Sequence, residues 1–165
     1  MATQGWSQGR LHFYPDDNLT WSEMIAHVDN NLVRMGNSWR NEVVYTVNAD
    51  NMWNEIRVIR GFSTSSLDIA FTVREDKLYM GDSSFRDAIL YTYSEGQIFV
   101  GDSNFPLDIA YTLREERRRF SGGDGAPIWG VYKEDSQAWS DRVGVLEGAL
   151  DAGQLFAILS AAGLL

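Results

Sequence analysis

Between residues 61 and 120 the apolar positions fall two apart, and the same pattern is written three times. The segments GFSTSSLDIAFTVREDKLYM (61–80), GDSSFRDAILYTYSEGQIFV (81–100) and GDSNFPLDIAYTLREERRRF (101–120) align without a gap. Gly61, Gly81 and Gly101 share a column, as do Ser63, Ser83 and Ser103. Further columns hold Ile69, Ile89 and Ile109, then Phe71, Tyr91 and Tyr111, then Thr72, Thr92 and Thr112. Self-similarity at a fixed period marks a repeat architecture. Inside one unit, Ile69, Phe71 and Val73 alternate with Ala70 and Thr72, the pattern of a strand with one buried face. A polar tip follows (Glu75-Asp76, or Glu95-Gly96), then a second alternation at Leu78 and Met80 or Ile98 and Val100. Gly96 supplies a positive φ at little cost, which suits a tight hairpin turn. The G-D-S loops that join the units are rich in residues that satisfy their own backbone. Each unit is predicted to be strand, turn, strand, loop.

Fainter copies extend the array to about 23–60 and 121–148. Gly36-Asn37-Ser38 followed by Asn41 to Val47 echoes Gly81-Asp82-Ser83 followed by Asp87 to Tyr93, two residues shorter. Downstream, Ile128-Trp129-Gly130 and Asp141 to Val145 look like half-units separated by an insertion. Residues 20–35 admit two readings. Thr20-Trp21-Ser22-Glu23 is a capping box ahead of a helical apolar face (Trp21, Met24, Ile25, Val28, Leu32, Met35). The repeat register instead makes Asp29-Asn30-Asn31 a hairpin tip, and that reading is favoured. At the C-terminus, Asp151 and Gln154 can cap a helix over about 151–162 that carries Leu155, Phe156, Ile158 and Leu159 and ends at Gly163. It is expected to plug an open end or cover an edge strand, because an array needs a cap. The whole chain, 1–165, is thus read as a single mainly β domain. It would be an antiparallel hairpin-repeat array, meander, barrel- or prism-like, with a C-terminal helix cap. Tyr45, Phe71, Tyr91 and Tyr111 should form a ladder on one face, with Thr46, Thr72, Thr92 and Thr112 on the other.

The consensus of these units, roughly G-x-S-x-x-x-x-D-I-x-Y-T followed by I-Y-x-G, resembles that of small bacterial proteins made of tandem STSSFDILYTI…KIYRG units. Ser63 to Thr72 lies closest to it, and Leu146-Glu147-Gly148 leading to Leu155 to Leu159 is similar to that family's short apolar ending. The long N-terminal segment and the Gly/Pro-rich insertion at 121–130 depart from it. The resemblance implies the repeat architecture and a microbial origin, and it implies no activity.

Composition then narrows the chemistry. The formal net charge of -9 repels phosphate backbones and anionic lipid, so neither nucleic acid nor a membrane is an expected partner. The absence of cysteine removes disulfides, thiol catalysis and Cys-ligated metals. No basic segment followed by an apolar stretch opens the chain, and Leu155 to Leu165 is too short to span a bilayer, so cytoplasmic residence is the expectation. No cofactor motif is present and none is expected.

Candidate sites are few. His12 and His27 are the only histidines, and His27 falls in the Thr column of the repeat. Asp82 and Asp102 recur in oxygen-rich loops of a kind that suits calcium, but turn capping accounts for them without an ion, and Phe62 replaces Asp in the first copy. Asp68, Asp87 and Asp108 could supply a pair of acids for glycoside chemistry, yet they repeat in every unit, as scaffold residues do. No G-x-S-x-G elbow singles out a serine, so no catalytic residue is assigned. Trp6, Trp21, Trp39, Trp53, Trp129 and Trp139 lie mostly outside the regular repeats, where they either seal the β core or contact a partner. Trp53, Trp129 and Trp139, with Arg117 and Arg118 of the one basic cluster, are the partner-binding candidates. The leading expectation is a non-enzymatic binding or assembly module that meets a protein partner or itself. A small enzyme or ligand-binding barrel with its site in 1–60 or 121–140 would take a small molecule instead. An acidic immunity- or inhibitor-type protein would meet a basic target.

Overall fold

In the computed structural model, which describes residues 10–50, 54–116 and 126–165, the hairpin pattern continues around the molecule until it closes. The described strands are β1 (Leu11–Tyr14), β2 (Ala26–Asp29), β3 (Leu32–Met35), β4 (Val43–Asp50), β5 (Glu55–Arg60) and β6 (Ile69–Arg74). They continue as β7 (Lys77–Met80), β8 (Ile89–Ser94), β9 (Gln97–Val100), β10 (Ile109–Glu116), β11 (Ile128–Lys133) and β12 (Arg142–Gly148). Neighbours in the chain are neighbours in the sheet, all antiparallel, and β1 pairs with β12 to complete a closed barrel. The last hairpin is therefore assembled from the two ends of the fold, with Leu11 opposite Gly148 and Tyr14 opposite Val145. Closure leaves no unpaired strand edge.

Local chemistry accounts for the hairpins. Asn30-Asn31, Glu75-Asp76 and Glu95-Gly96 hold positive φ at both central positions, the two-residue turn whose twist matches the strands it joins. That turn decides the contested 20–35 segment for the hairpin reading, over Ala26–Met35, with Val28 paired to Val33 and Asp29 to Leu32. The capping box yields only a short 3-10 turn, Trp21–Glu23, in which Thr20 makes no side-chain cap. Ladder partners in β1 and β4 on either side outweigh the local helical signal. The third unit also differs from its expected form. β10 runs on to Glu116 and pairs with β11, so the insertion separates the two strands of one hairpin instead of following a finished one. Residues 117–125, which include Arg117 and Arg118, lie outside the described residues, as do Trp6 and Trp53.

The C-terminal helix α1 (Ala152–Ala161) fills the barrel. Asp151 accepts a hydrogen bond from the Gln154 amide at its start. At its end Gly163, at φ 81°, and Leu164 donate back to the carbonyls of Ser160 and Leu159. Leu155, Phe156, Ala157, Ile158 and Leu159 are all fully buried. Five consecutive buried residues have no polar face, which is the signature of a helix enclosed on all sides. It does not cover an edge, because the closed barrel has none. About eight strands can fill a barrel with side chains alone, and this wider one needs a helix as its core. Phe13, Val28, Val33, Val58, Leu78, Ile98 and Leu146 of the strands form one buried cluster with its side chains. Gly153 lets α1 press against β5, since a Cβ there would lie 2.6 Å from the Ile56 side chain.

The two predicted columns occupy opposite faces of the sheet. Tyr45, Phe71, Tyr91 and Tyr111 point inward and pack on the core, with the Tyr45 and Phe71 rings 6.1 Å apart. Tyr111 donates to the Leu164 carbonyl at 3.0 Å, and burial pushes its phenol above the ordinary range. On the outer face, Thr46, Thr72, Thr92 and Thr112 each donate to a main-chain carbonyl, those of Gly61, Gly81, Gly101 and Glu134, at 2.7–2.8 Å. Each bond ties a strand to the start of the next connection.

Candidate interaction surface

Alternation of strand direction places the six connections between hairpins (residues 15–25, 36–42, 61–68, 81–88, 101–108 and 134–141) at one end of the barrel. The hairpin tips and the start of α1 lie at the other. Each connection is shaped by its own serine and acid. Ser63, Ser103 and Ser136 donate to Asp68, Asp108 and Asp141, and their Oγ atoms accept amides two residues on. Ala88 stands where Asp68 and Asp108 stand, so the second copy lacks this brace, and Asp87 is exposed. The acids considered for glycoside chemistry are thus two turn braces and a surface carboxylate.

The Asp of the G-D-S loops does something that turn chemistry did not foretell. It reaches back to basic side chains on earlier strands and, for Asp102, also to Arg86 of the preceding connection. Asp102 binds Lys77 at 2.7 Å and Arg86 at 2.6 Å. Asp82 lies 3.9 Å from both Arg57 and Arg74, and Asp135 lies 3.5 Å from Arg114. Hydrogen bonds from Lys77, then Arg86, hold the Asp102 carboxyl below its usual range, and the same contact raises Lys77. Beneath Asp82, buried Glu55 binds Arg57 and Arg74 at 2.7 Å each. Both calcium candidates therefore face cations. Among the described residues no group of three or more His, Asp or Glu side chains is placed to hold a metal.

The histidines also have placed partners. His27 is buried and takes the Thr position in its hairpin, its Nδ1 donating to the Gly36 carbonyl at 2.7 Å. That bond fixes the proton on Nδ1, because a carbonyl can only accept. His12 lies 3.4 Å from Glu147, with its ring edge-on to Trp21 and His27. Of the tryptophan candidates, Trp129 is half-buried against the core and donates to the Gly148 carbonyl. Trp139 is exposed on the last connection, stacked at 3.7 Å on the Arg142 guanidinium. Arg142 in turn binds Glu116 at 2.8 Å, and Glu116 accepts from the Tyr132 hydroxyl. An open cleft of about 320 Å³ lies at the hairpin-tip end between Asn54, Glu55, Glu75, Asp76 and Asp151.

Exposed apolar side chains are distributed very unevenly. Among the described residues, every large hydrophobic side chain that is exposed lies at the connection end. Trp21, Trp39, Phe62, Leu67, Phe85, Phe105, Leu107 and Trp139 stand on the connections, and Met35, Met80 and Val100 are the last strand residues before them. Trp39 is 72% exposed, Phe85 74%, Leu67 90% and Leu107 98%, so most of each side chain is open to solvent. We refer to them as the crown. Of the crown, only the tryptophans are expected from the sequence, although Phe85 with Phe105 and Leu67 with Leu107 recur at equivalent positions of the repeat. The connections carry most of the charge as well. They hold twelve acidic and two basic side chains, net −10, against −9 for the whole chain, which leaves +1 for everything else.

Residues 14–126 match the family model of the 6-fold beta flower protein. A solved X-ray structure of a protein from Arabidopsis thaliana is similar over 96% of this chain and 90% of that one, at 12% identity and a TM-score of 0.47. No curated protein matches. Among the described residues no helix is long and apolar enough to cross a membrane.

Proposed function

The chain belongs to the 6-fold beta flower proteins, and from that premise we propose that it is a non-enzymatic binding module whose working surface is the crown. The observation that carries this reading is the confinement of exposed apolar side chains to one end of the barrel. Exposed apolar patches mark sites of contact on proteins, and among the described residues eleven exposed large apolar side chains share this one end. A ligand-binding barrel needs an internal cavity, and here α1 occupies the interior with five fully buried residues. The aromatic crown also fits the anatomy of protein interfaces, where Trp and Phe act as anchors.

The test is quantitative affinity isolation from the source organism with three full-length proteins compared side by side. These are the wild type, a crown variant (Trp39→Ser, Phe85→Ser, Leu107→Ser) and a control altered at the hairpin tips (Glu75→Ser, Glu95→Ser). The proposal predicts an interactor that is retained by the control and reduced at least about tenfold in the crown variant, equivalent to about 1.4 kcal/mol of binding free energy. Equal recovery with all three proteins would remove the crown as the working surface.

A further inference from the structure

The crown is set in a strongly acidic frame, and the frame specifies the partner. The six connections hold twelve acidic side chains, of which Asp17, Asp82, Asp102 and Asp135 are paired with strand cations. Of their own two cations, Arg86 is engaged by Asp102 and Arg40 lies over the Trp39 ring. Glu23, Glu42, Asp87 and Glu134 are all exposed, and the first three lie within three residues of Trp21, Trp39 and Phe85 respectively. These exposed acids, here called the rim, neighbour the apolar anchors along the connections, and a surface of that make-up binds through its apolar side chains and selects its partner through its charges. A nucleic acid or an anionic lipid leaflet is repelled by this field. A second copy that presented the same face would set the exposed carboxylates of Glu23, Glu42, Asp87 and Glu134 against their own kind. A polypeptide surface rich in Lys and Arg, with apolar side chains between them, matches both features. Resting on the binding-module reading above, we propose that the crown docks a basic, apolar-studded protein segment, drawn in by the acidic rim and held by the aromatic and leucine side chains.

The test uses labelled synthetic peptides and fluorescence anisotropy on the full chain. One peptide is a short amphipathic sequence of leucine and lysine, and matched versions carry glutamine or glutamate in place of lysine. The proteins are the wild type, the crown variant above, and a rim variant (Glu23→Gln, Glu42→Gln, Asp87→Asn, Glu134→Gln). Binding of the leucine–lysine peptide is expected to weaken at least about tenfold in the rim variant and in high salt. It should be lost in the crown variant, and the glutamate peptide should not bind. Equal binding of the lysine and glutamine peptides, with no effect of the rim variant, would overturn the basic partner while leaving the crown as a contact surface. Binding of the lysine peptide that the crown variant does not diminish would overturn both. Tighter association with phosphatidylserine-containing vesicles than with the lysine peptide would overturn the proposal in favour of lipid. Failure of the lysine peptide to bind would also overturn it, and the glutamine peptide would then report whether the crown binds apolar chains at all.

Discussion

The repeated polar residues divide into two kinds. Thr46, Thr72, Thr92 and Thr112 act inside their own hairpin, and Ser63, Ser103 and Ser136 inside their own connection. The serine brace is legible in the sequence because serine and aspartate sit five residues apart within one connection, and the threonines are legible as a column, though their acceptors lie 9 to 22 residues on. Asp82, Asp102 and Asp135 act between units, and their cationic partners are 8 to 25 residues earlier in the chain. A local reading of the turn therefore finds the aspartate and misses the ion pair. The Asp102 contact has a definite pH signature. Its carboxyl titrates below 3.8 when folded, so the stabilisation it provides is present above that value and disappears as the pH falls through the folded value. Lys77 is raised above 10.5, so its share is lost only as the pH climbs through that raised value. Asp102→Asn should be less stable than wild type in urea at neutral pH. The difference should shrink below pH 3.8. A difference that stays constant across the acid range would show that Asp102 does not contribute as a charge.

At the scale of elements, the strands were readable from their period of two and the helix from Asp151, Gln154 and Gly163. The helix is expected either to plug an open end or to cover an edge strand, and the run Leu155-Phe156-Ala157-Ile158-Leu159 holds the clue to the first, since it offers water no face. The same interior position explains the aromatic column. Tyr45, Phe71, Tyr91 and Tyr111 pack on a core shared by the strands and α1, so each couples its hairpin to a common centre instead of to its neighbours alone. A carboxylate placed there is desolvated without a cation to meet it. Tyr91→Asp should therefore cost about 3–5 kcal/mol and destabilise the barrel as one unit. A thermal melt with two separate transitions, or with no loss of stability, would contradict this.

For the molecule as a whole, closure depends on the part of the chain least visible as a repeat. β1 is only Leu11–Tyr14, too short to show a period, and it gains its identity from pairing with β12 on one side and β2 on the other. The barrel, once closed around α1, leaves two unlike ends, one of hairpin tips and one of connections. The crown belongs to the second. Its partial invisibility in sequence has a physical basis, because exposure depends on whether a loop side chain finds a surface to cover. Trp129 finds one in the core, whereas Trp39 stays mostly exposed beside the Arg40 guanidinium of its own connection. That contrast separates the two roles open to the apolar connection residues, sealing the core or meeting a partner. The decisive measurement is the melting temperature of the full chain carrying Trp39→Ser, Leu67→Ser, Phe85→Ser and Leu107→Ser together. If these side chains are kept for contact outside the chain, the midpoint should stay within about 2 °C of wild type, less than about 1 kcal/mol for a chain of this size. A fall of more than about 5 °C would mean that they stabilise the barrel itself, and the crown would then be part of the scaffold.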